Sequence, residues 1–211
     1  MAATAAALFV SFWIMLGLSI LLADVSAYRR TGPLHKPPRA IEKLDDGEEV
    51  KLVGTVRLAD DALKAPVSGK PCAGYEVRVA RRRLMRWRPV RVARERVGFF
   101  LDDGTGEVFV RLDEGAQVQL VTSARYRASR KLRRSIRGVL GNLLQEAPAR
   151  SYRCDEGALT EGARVAVYGV ARQVSDARPE REDGYRARRY RFVVESAREG
   201  LYVSDERAAL G

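Results

Sequence analysis

The N-terminal stretch Ala2–Ala23 constrains the chain most, because it is a long apolar run without one charged side chain. About 22 residues of helix would extend about 33 Å, which is enough to cross the hydrocarbon core of a bilayer. Asp24 ends the run, and Arg29 and Arg30 follow it. The run therefore predicts a transmembrane anchor over residues 1–28.

A cleaved signal peptide is the alternative, and Val25-Ser26-Ala27 would be an acceptable cleavage sequence. A signal peptide, however, begins with basic residues and has a shorter apolar region of about 7–15 residues. No Lys or Arg precedes this run, so the uncleaved anchor is favoured. The basic residues Arg29, Arg30 and Lys36 come after it. The positive-inside rule then predicts a single-pass protein with its N-terminus outside and its C-terminal domain in the cytoplasm.

The composition excludes several classes of site. The formal net charge is +11, which favours phosphate-bearing partners such as anionic lipid or nucleic acid. Two cysteines cannot make a disulfide framework, and with the single histidine they cannot complete a four-ligand zinc site. We expect no cofactor and no metal.

The rest of the chain has the pattern of a linker followed by a β domain. Prolines 33, 37 and 38 and the acidic residues after them predict a stiff juxtamembrane linker over residues 29–48. Period-two alternation predicts strands in the domain, residues 49–205. These strands cover residues 49–59, 74–80, 87–100, 107–112, 163–174 and 186–195, with a short edge at 201–203.

One amphipathic helix is predicted over about residues 129–146, with its apolar residues at helical spacing. Five main strands with a helix before the fourth are the order of an OB-like barrel. Gly54 and Gly169, in the first and fourth strands, suit the sharp coiling of such a barrel. The fold class is therefore mainly β, with a transmembrane helix ahead of a five-stranded OB-like barrel.

Three ordered motifs resemble the GIDE, or "beside a membrane", domain. They are the stretches LKAPVSGKPC at 63–72, FFLDDGTG at 99–106 and EGALTEGARVAVYG at 156–169. This domain is known from membrane-bound E3 ubiquitin ligases of mitochondria and plastids and from bacterial and archaeal proteins. The residues that match its motifs, in positions we interpret as structural, are Gly54, Pro66, Gly69, Pro71, Cys72, Tyr75, Asp103, Gly104, Gly106, Gly157, Gly162 and Gly169.

The sequence departs from the ligases of this family where their chemistry lies. Those enzymes carry a C-terminal RING finger with eight Cys/His zinc ligands, and this sequence has three Cys and His residues in all. The family layout often includes a second membrane span, for which residues 201–211 are too short and too charged. The resemblance therefore implies a partner-recruiting domain, and we expect no ubiquitin ligase activity.

No residue set predicts catalysis. Asp102 and Asp103 form an adjacent carboxylate pair, but in the sequence DDGTG they are better explained as turn formers. Cys72 follows Pro71 at the entrance of a strand, without an evident base, so a buried structural cysteine is the better interpretation. Cys154 could approach Cys72 in the barrel.

Two arginine-rich segments are the candidate binding residues. They cover residues 81–96 and 125–137. The candidates within them are Arg81, Arg82, Arg83, Arg86, Trp87 and Arg88 in the first segment, and Arg130, Lys131, Arg133, Arg134 and Arg137 in the second. Lipid-surface docking, binding of a protein partner and simple solubility are all compatible with them. For the lipid case, Met85 and Trp87 at a hairpin tip could enter the interface.

Two functions follow from these observations. The first is a membrane-anchored, non-enzymatic interaction module that binds a protein partner, the anionic membrane surface or both. The second is single-stranded nucleic-acid binding of the OB type, for which Trp87, Tyr126, Tyr185 and Tyr190 lie among arginines. The anchor offers no reason for nucleic-acid binding, so the first is favoured.

Overall fold

The computed structural model describes residues 32–83, 86–121, 123–127, 152–174 and 190–211. The predicted anchor and the predicted helix at 129–146 lie outside these residues. Within the described ranges, no helix has the length and apolarity needed to cross a membrane. The described chain is mainly β, with short 3-10 turns at Gly32–His35 and Ile41–Lys43 and a short helix at Arg207–Leu210.

Five strands form a closed barrel, as the sequence predicts. They are β1 (Glu49–Leu58), β5 (Phe99–Asp102), β6 (Glu107–Val110), β10 (Arg164–Gln173) and β11 (Phe192–Glu195). The strands pair in the cyclic order β1-β5-β6-β11-β10, and β10 returns to β1 over seven residue pairs. All of these pairs are antiparallel except β6 with β11. Closure leaves the five strands without an open edge within the ring.

Two short strands extend the barrel from β10. β12 (Tyr202–Ser204) pairs with β10, and β7 (Gln117–Gln119) pairs with β12 in parallel. β12 pairs along the edge of β10, while Leu34, Tyr202 and Ala209 pack against the outer side of β10, so most of this strand is buried on both of its faces. The predicted edge at 201–203 is thus confirmed, shifted by one residue.

A second sheet is inserted between strands of the barrel. Its strands are β2 (Leu63–Lys64), β3 (Pro71–Arg83), β4 (Arg86–Arg96), β8 (Ala124–Arg127) and β9 (Tyr152–Thr160). They lie in the order β2-β3-β9-β8, and β4 pairs with β3. The first three strands come between β1 and β5, and the last two come between β6 and β10. The second sheet is therefore assembled from two separate insertions.

The barrel interior is the main hydrophobic core. Its fully buried side chains include Leu52, Val56, Leu101, Val167 and Val194. Two glycines allow the strands around it to approach closely: a Cβ on Gly54 would lie 2.6 Å from the Asp102 carbonyl oxygen, and one on Gly169 would lie 2.5 Å from that of Glu195. This agrees with the expectation that both glycines permit tight coiling.

The predicted free linker is, from Pro33 onward, part of the folded domain. Leu34 is 1% exposed and packs with Tyr168, Tyr202 and Ala209 on the outside of β10, while Ile41 joins the barrel core. The ammonium of Lys36 donates a hydrogen bond to the Tyr168 hydroxyl (3.0 Å), which donates in turn to Glu49 (2.7 Å). The prolines suggest an extended spacer, but the apolar residues between them find partners on the barrel. At the other end, buried Ala209 extends the packed domain beyond residue 205.

Two strand predictions were wrong. Residues 87–100 are not one strand, because β4 ends at Arg96 and β5 begins at Phe99 in the other sheet. The strands at 74–80 and 87–96 also belong to the second sheet rather than to the barrel. β9 is absent from the predicted strands, since its buried Glu156 and Gly157 break the alternation expected of a strand.

Candidate interaction surface

The first arginine-rich segment lies at the far end of the hairpin that β3 and β4 form. Cross-strand register continues to the tip, where Arg81 pairs with Arg88, Arg82 with Trp87 and Arg83 with Arg86. An open concavity of about 490 Å³ is lined there by Arg81, Arg82, Arg83, Arg88, Pro89 and Val90. The hairpin thus gathers the predicted basic residues around one hollow.

Trp87 contacts another side chain of the same protein at this end of the sheet. Its side chain is half-buried, and the guanidinium of Arg153 lies 5.2 Å from the ring centre. Arg81 similarly lies 6.0 Å from the ring of Tyr152. Both arrangements fit cation–π contacts. The ring of Trp87 is therefore in contact with β9, a strand of the same sheet. Met85 and the second basic segment, residues 130–137, lie outside the described residues.

The open face of the second sheet carries four arginines. Arg94 and Arg125 belong to the two arginine-rich segments, whereas Arg78 and Arg153 were missed by the sequence analysis. On this face the Glu76 carboxylate binds both Arg78 and Arg94, the latter at 2.5 Å. The Asp155 carboxylate binds Arg125 at 2.9 Å and Arg153 at 3.2 Å. We call Arg78, Arg94, Arg125 and Arg153, with these two carboxylates, the arginine face. The four arginines come from four strands, so only the register brings them together.

The carboxylate pair Asp102 and Asp103 forms a turn, as its sequence context predicts. Asp102 accepts a bond from the Gly104 N–H (2.8 Å), and Gly104 has a φ of +88°. Asp103 accepts the N–H groups of Ile41 (2.8 Å) and Thr105 (2.8 Å). Burial alone would raise the pKa of Asp103, but its hydrogen bonds, led by that from Ile41, outweigh burial and lower it. Both carboxylates are thus used by the fold.

A buried carboxylate fixes the loop of the first family motif. Glu156, on β9, is fully buried and accepts the backbone N–H groups of Val67 (2.7 Å) and Ser68 (3.1 Å). Pro66 and Gly69 lie in the same loop, and Gly69 has a φ of +75°. Tyr75, on β3, donates to Glu95 at 2.7 Å; burial and this bond raise its pKa to about 12. These contacts hold motif residues of two insertions together.

Cys72 and Cys154 are both buried and unbonded, and they lie far apart. Cys72 is opposite Thr160, whereas Cys154 is opposite Val79. The two positions are six residues apart along β9, or about 20 Å at the usual rise of a strand. Burial raises the pKa of each thiol to about 11, with nearby carboxylates adding to the effect. Cys154 therefore does not approach Cys72, a possibility that the sequence left open; the expected burial of Cys72 is confirmed.

Of the remaining motif glycines, Gly162 also has a positive φ (+76°), Gly106 ends the Asp102 turn and Gly157 lies in β9. Among the residues that the structure describes, no group of three or more His, Cys, Asp or Glu side chains could hold a metal ion. The described surface is thus basic and hydrogen-bonded.

Comparison with known protein families gave a match. The model of the GIDE family, described as E3 Ubiquitin ligase, matches residues 75–199, more than half of the 211 residues. The chain belongs to this family. No curated protein and no solved structure gave a match.

Proposed function

We propose that this protein is a membrane-anchored, non-enzymatic interaction module whose cytoplasmic domain binds a protein partner, the anionic membrane surface or both. The proposal combines the apolar run at residues 2–23 with a domain packed directly after it. Leu34 already contacts the barrel, so few residues separate the run from the folded domain. In this arrangement the domain works close to the bilayer.

The observation that carries the proposal is the concentration of arginine on the second sheet. Its hairpin end exposes Arg82, Arg83, Arg86 and Arg88, and all of these except Arg86 line an open hollow. In the barrel, by contrast, the glycines Gly54 and Gly169 allow the strands to approach closely. Exposed cations on an inserted element, away from the core, suit recognition of an anionic partner.

The absence of catalysis is proposed from the roles of the reactive groups. Asp103 and Glu156 accept backbone N–H bonds, and the two thiols are buried with raised pKa values. A nucleophile needs a lowered pKa or a nearby base, and a thiol with a pKa near 11 is almost fully protonated at pH 7. A RING-dependent ligase activity would need eight Cys and His zinc ligands, and the two cysteines and one histidine of this sequence do not supply them.

The proposal is tested in native membranes with the full chain and photo-crosslinking. A variant with Arg82, Arg83 and Arg88 each changed to Gln should lose its crosslinked partners. The matched control changes Arg111, Arg164 and Arg172, three exposed arginines of or beside the barrel strands. Equal recovery of partners from both variants would refute a role for the hairpin, and release of the chain by alkaline carbonate would refute the anchor.

Single-stranded nucleic-acid binding is a second candidate, and one observation favours it. The order β1-β5-β6-β11-β10 with a parallel β6–β11 pair is compatible with an OB-like barrel, whose second and third strands bind oligonucleotides. On those strands Phe100 and Phe109 form a half-exposed ring cluster with Tyr190, with centroids 5.2–5.6 Å apart. Each ring packs on the other two, which limits the stacking of bases.

The two candidates are separated by the salt dependence of retention on single-stranded oligonucleotide. Phe109→Ala should reduce that retention if the ring cluster stacks bases, while Tyr75→Phe, on the second sheet, should leave it unchanged. Steep, salt-sensitive retention that depends on Phe109 would favour nucleic acid over the interaction module.

A further inference from the structure

We propose that the arginine face docks on a bilayer leaflet that contains anionic phospholipid, with its guanidinium groups binding the headgroup phosphates. The proposal rests on the proposed function and names one partner for it. It also extends the binding surface from the hairpin tip to the broad face of the second sheet.

The register of the second sheet places the four arginines on one side. Arg78 lies opposite Asp155, and Asp155 lies opposite Arg125. Glu76, two residues before Arg78, lies opposite Arg94. Directly opposite residues of antiparallel strands project from the same face, with strands about 4.8 Å apart. The arginines therefore form a band across β4, β3, β9 and β8.

Each carboxylate of the arginine face is shared by two arginines, which leaves the face positively charged. The bonds to the carboxylates use Nε in Arg78, Arg94 and Arg125, and a guanidinium has further donors beyond Nε. These three side chains are 55–64% exposed. Because the carboxylates already hold the planar groups in place, less side-chain entropy is lost when they bind phosphate.

The positive charge of the arginine face and the position of the domain next to the apolar run both favour an anionic lipid leaflet as its binding partner. The planar guanidinium group binds two phosphate oxygens bidentately, and each basic residue near an anionic leaflet strengthens attachment about fivefold. The apolar run of the same chain would supply that leaflet. Stacking of nucleic-acid bases, in contrast, needs free rings, and Trp87 is covered by Arg153. An extended, cationic, ring-poor face fits headgroups best.

The buried cysteines permit a selective probe. Both native thiols are buried with a pKa near 11, so a maleimide at neutral pH should label a new surface cysteine alone. Val92 lies opposite Arg78 on the arginine face and is 43% exposed. The full chain with Val92→Cys, labelled with an environment-sensitive fluorophore, is reconstituted in nanodiscs of phosphatidylcholine with or without phosphatidylserine.

In nanodiscs that contain phosphatidylserine, we expect a blue-shifted emission that headgroup-attached quenchers reduce, and neither change in phosphatidylcholine alone. Changing Arg94 and Arg125 to Gln leaves each carboxylate paired with its second arginine. This double variant should shift the docked-to-free equilibrium about 30-fold toward the free state. The matched control, Arg111→Gln with Arg164→Gln, removes the same charge from the barrel and should leave the emission unchanged.

Three outcomes would overturn the proposal. The first is an emission that does not depend on phosphatidylserine, and the second is an equal loss of the blue shift in the two double variants. The third is a blue shift of the probe that single-stranded oligonucleotide produces and anionic lipid does not. Failure of the proposed function has a separate readout, because an unanchored chain would not co-purify with the nanodisc at all.

Discussion

The barrel and the second sheet are both β structure, but they use opposite chemistry. The barrel closes on itself around apolar side chains, and Leu52, Val56 and Leu101 are fully buried. The second sheet is open: β4 pairs with β3 alone among the described strands, and most of its side chains are exposed. Its outer face carries paired charges instead of apolar contacts. The barrel thus buries apolar side chains, whereas the second sheet exposes paired charges, as the proposed binding role requires.

This difference teaches that position in the sheet, more than composition, decides what an arginine does. Arg57, beside the barrel turn, binds Asp102 at 2.7 Å and closes a local pair. On the arginine face of the second sheet, two arginines share each carboxylate, so a net positive charge remains. Substitutions in the two regions should therefore differ most in their effect on folding.

The largest effect is expected at the barrel closure. Gly169→Ala places a Cβ 2.5 Å from the Glu195 carbonyl oxygen, and the strand pair must separate to accept it. We expect a loss of about 3 kcal/mol in the free energy of unfolding, measured by urea denaturation. Val92→Ala, on the exposed strand β4, should change it by no more than about 0.5 kcal/mol. Similar losses in both variants would contradict the division of roles.

The next effect is expected where the second sheet holds the motif loop. Glu156→Gln leaves one amide oxygen for two N–H donors, those of Val67 and Ser68. The expected loss is about 2 kcal/mol, together with faster proteolysis of the loop. Glu95→Gln, which keeps an acceptor for Tyr75, is the control and should stay near the wild type. A stable, protease-resistant Glu156→Gln variant would show that the loop does not depend on this carboxylate.

A smaller and pH-dependent effect is expected at Asp103. Asp103→Asn removes one acceptor, and we expect it to cost about 1 kcal/mol at pH 7. Since the pKa of Asp103 is lowered in the folded state, its carboxylate stabilises the fold above the ordinary Asp pKa. That stabilisation is lost as the pH falls through the folded pKa. The gap in unfolding free energy between wild type and variant should therefore narrow in acid; a gap that stays constant would contradict the lowered pKa.

The smallest effect is expected on the arginine face. Arg94 is more than half exposed, and Glu76 keeps Arg78 when Arg94 is changed to Gln. Exposed ion pairs contribute little, so the unfolding free energy should change by about 0.5 kcal/mol or less. A urea midpoint far below that of the wild type would mean that this face stabilises the sheet and is not reserved for a partner.

Much of the barrel could be predicted from the sequence, because its strands alternate locally. The bounds of β1 and β10 agree with the predicted 49–59 and 163–174 to within a residue or two. The second sheet could not be predicted. Its pairing joins β3 to β9 across about eighty residues, and buried Glu156 gives β9 the appearance of a loop. Local alternation carries no information about such pairing.

The candidate site shows the same limit. The run of arginines at the hairpin tip is visible in one stretch of sequence, and the structure places it on one hairpin. Arg78, Arg94, Arg125 and Arg153 come from four different strands and become neighbours only through register. The burial of Leu34 was also hidden, because prolines around it are typical of an extended spacer. Both the clustering of these arginines and the burial of Leu34 depend on contacts between residues that are far apart in the sequence.

The docking of Leu34 and Ile41 against the barrel determines where the chain can be cut. A fragment that begins at Glu49 would strip the side chains that cover Tyr168 and part of the barrel interior. It would also leave the Asp103 carboxylate without the Ile41 amide. Such a fragment should aggregate on purification. A fragment that begins ahead of Pro33 keeps Leu34 and Ile41 packed against the barrel.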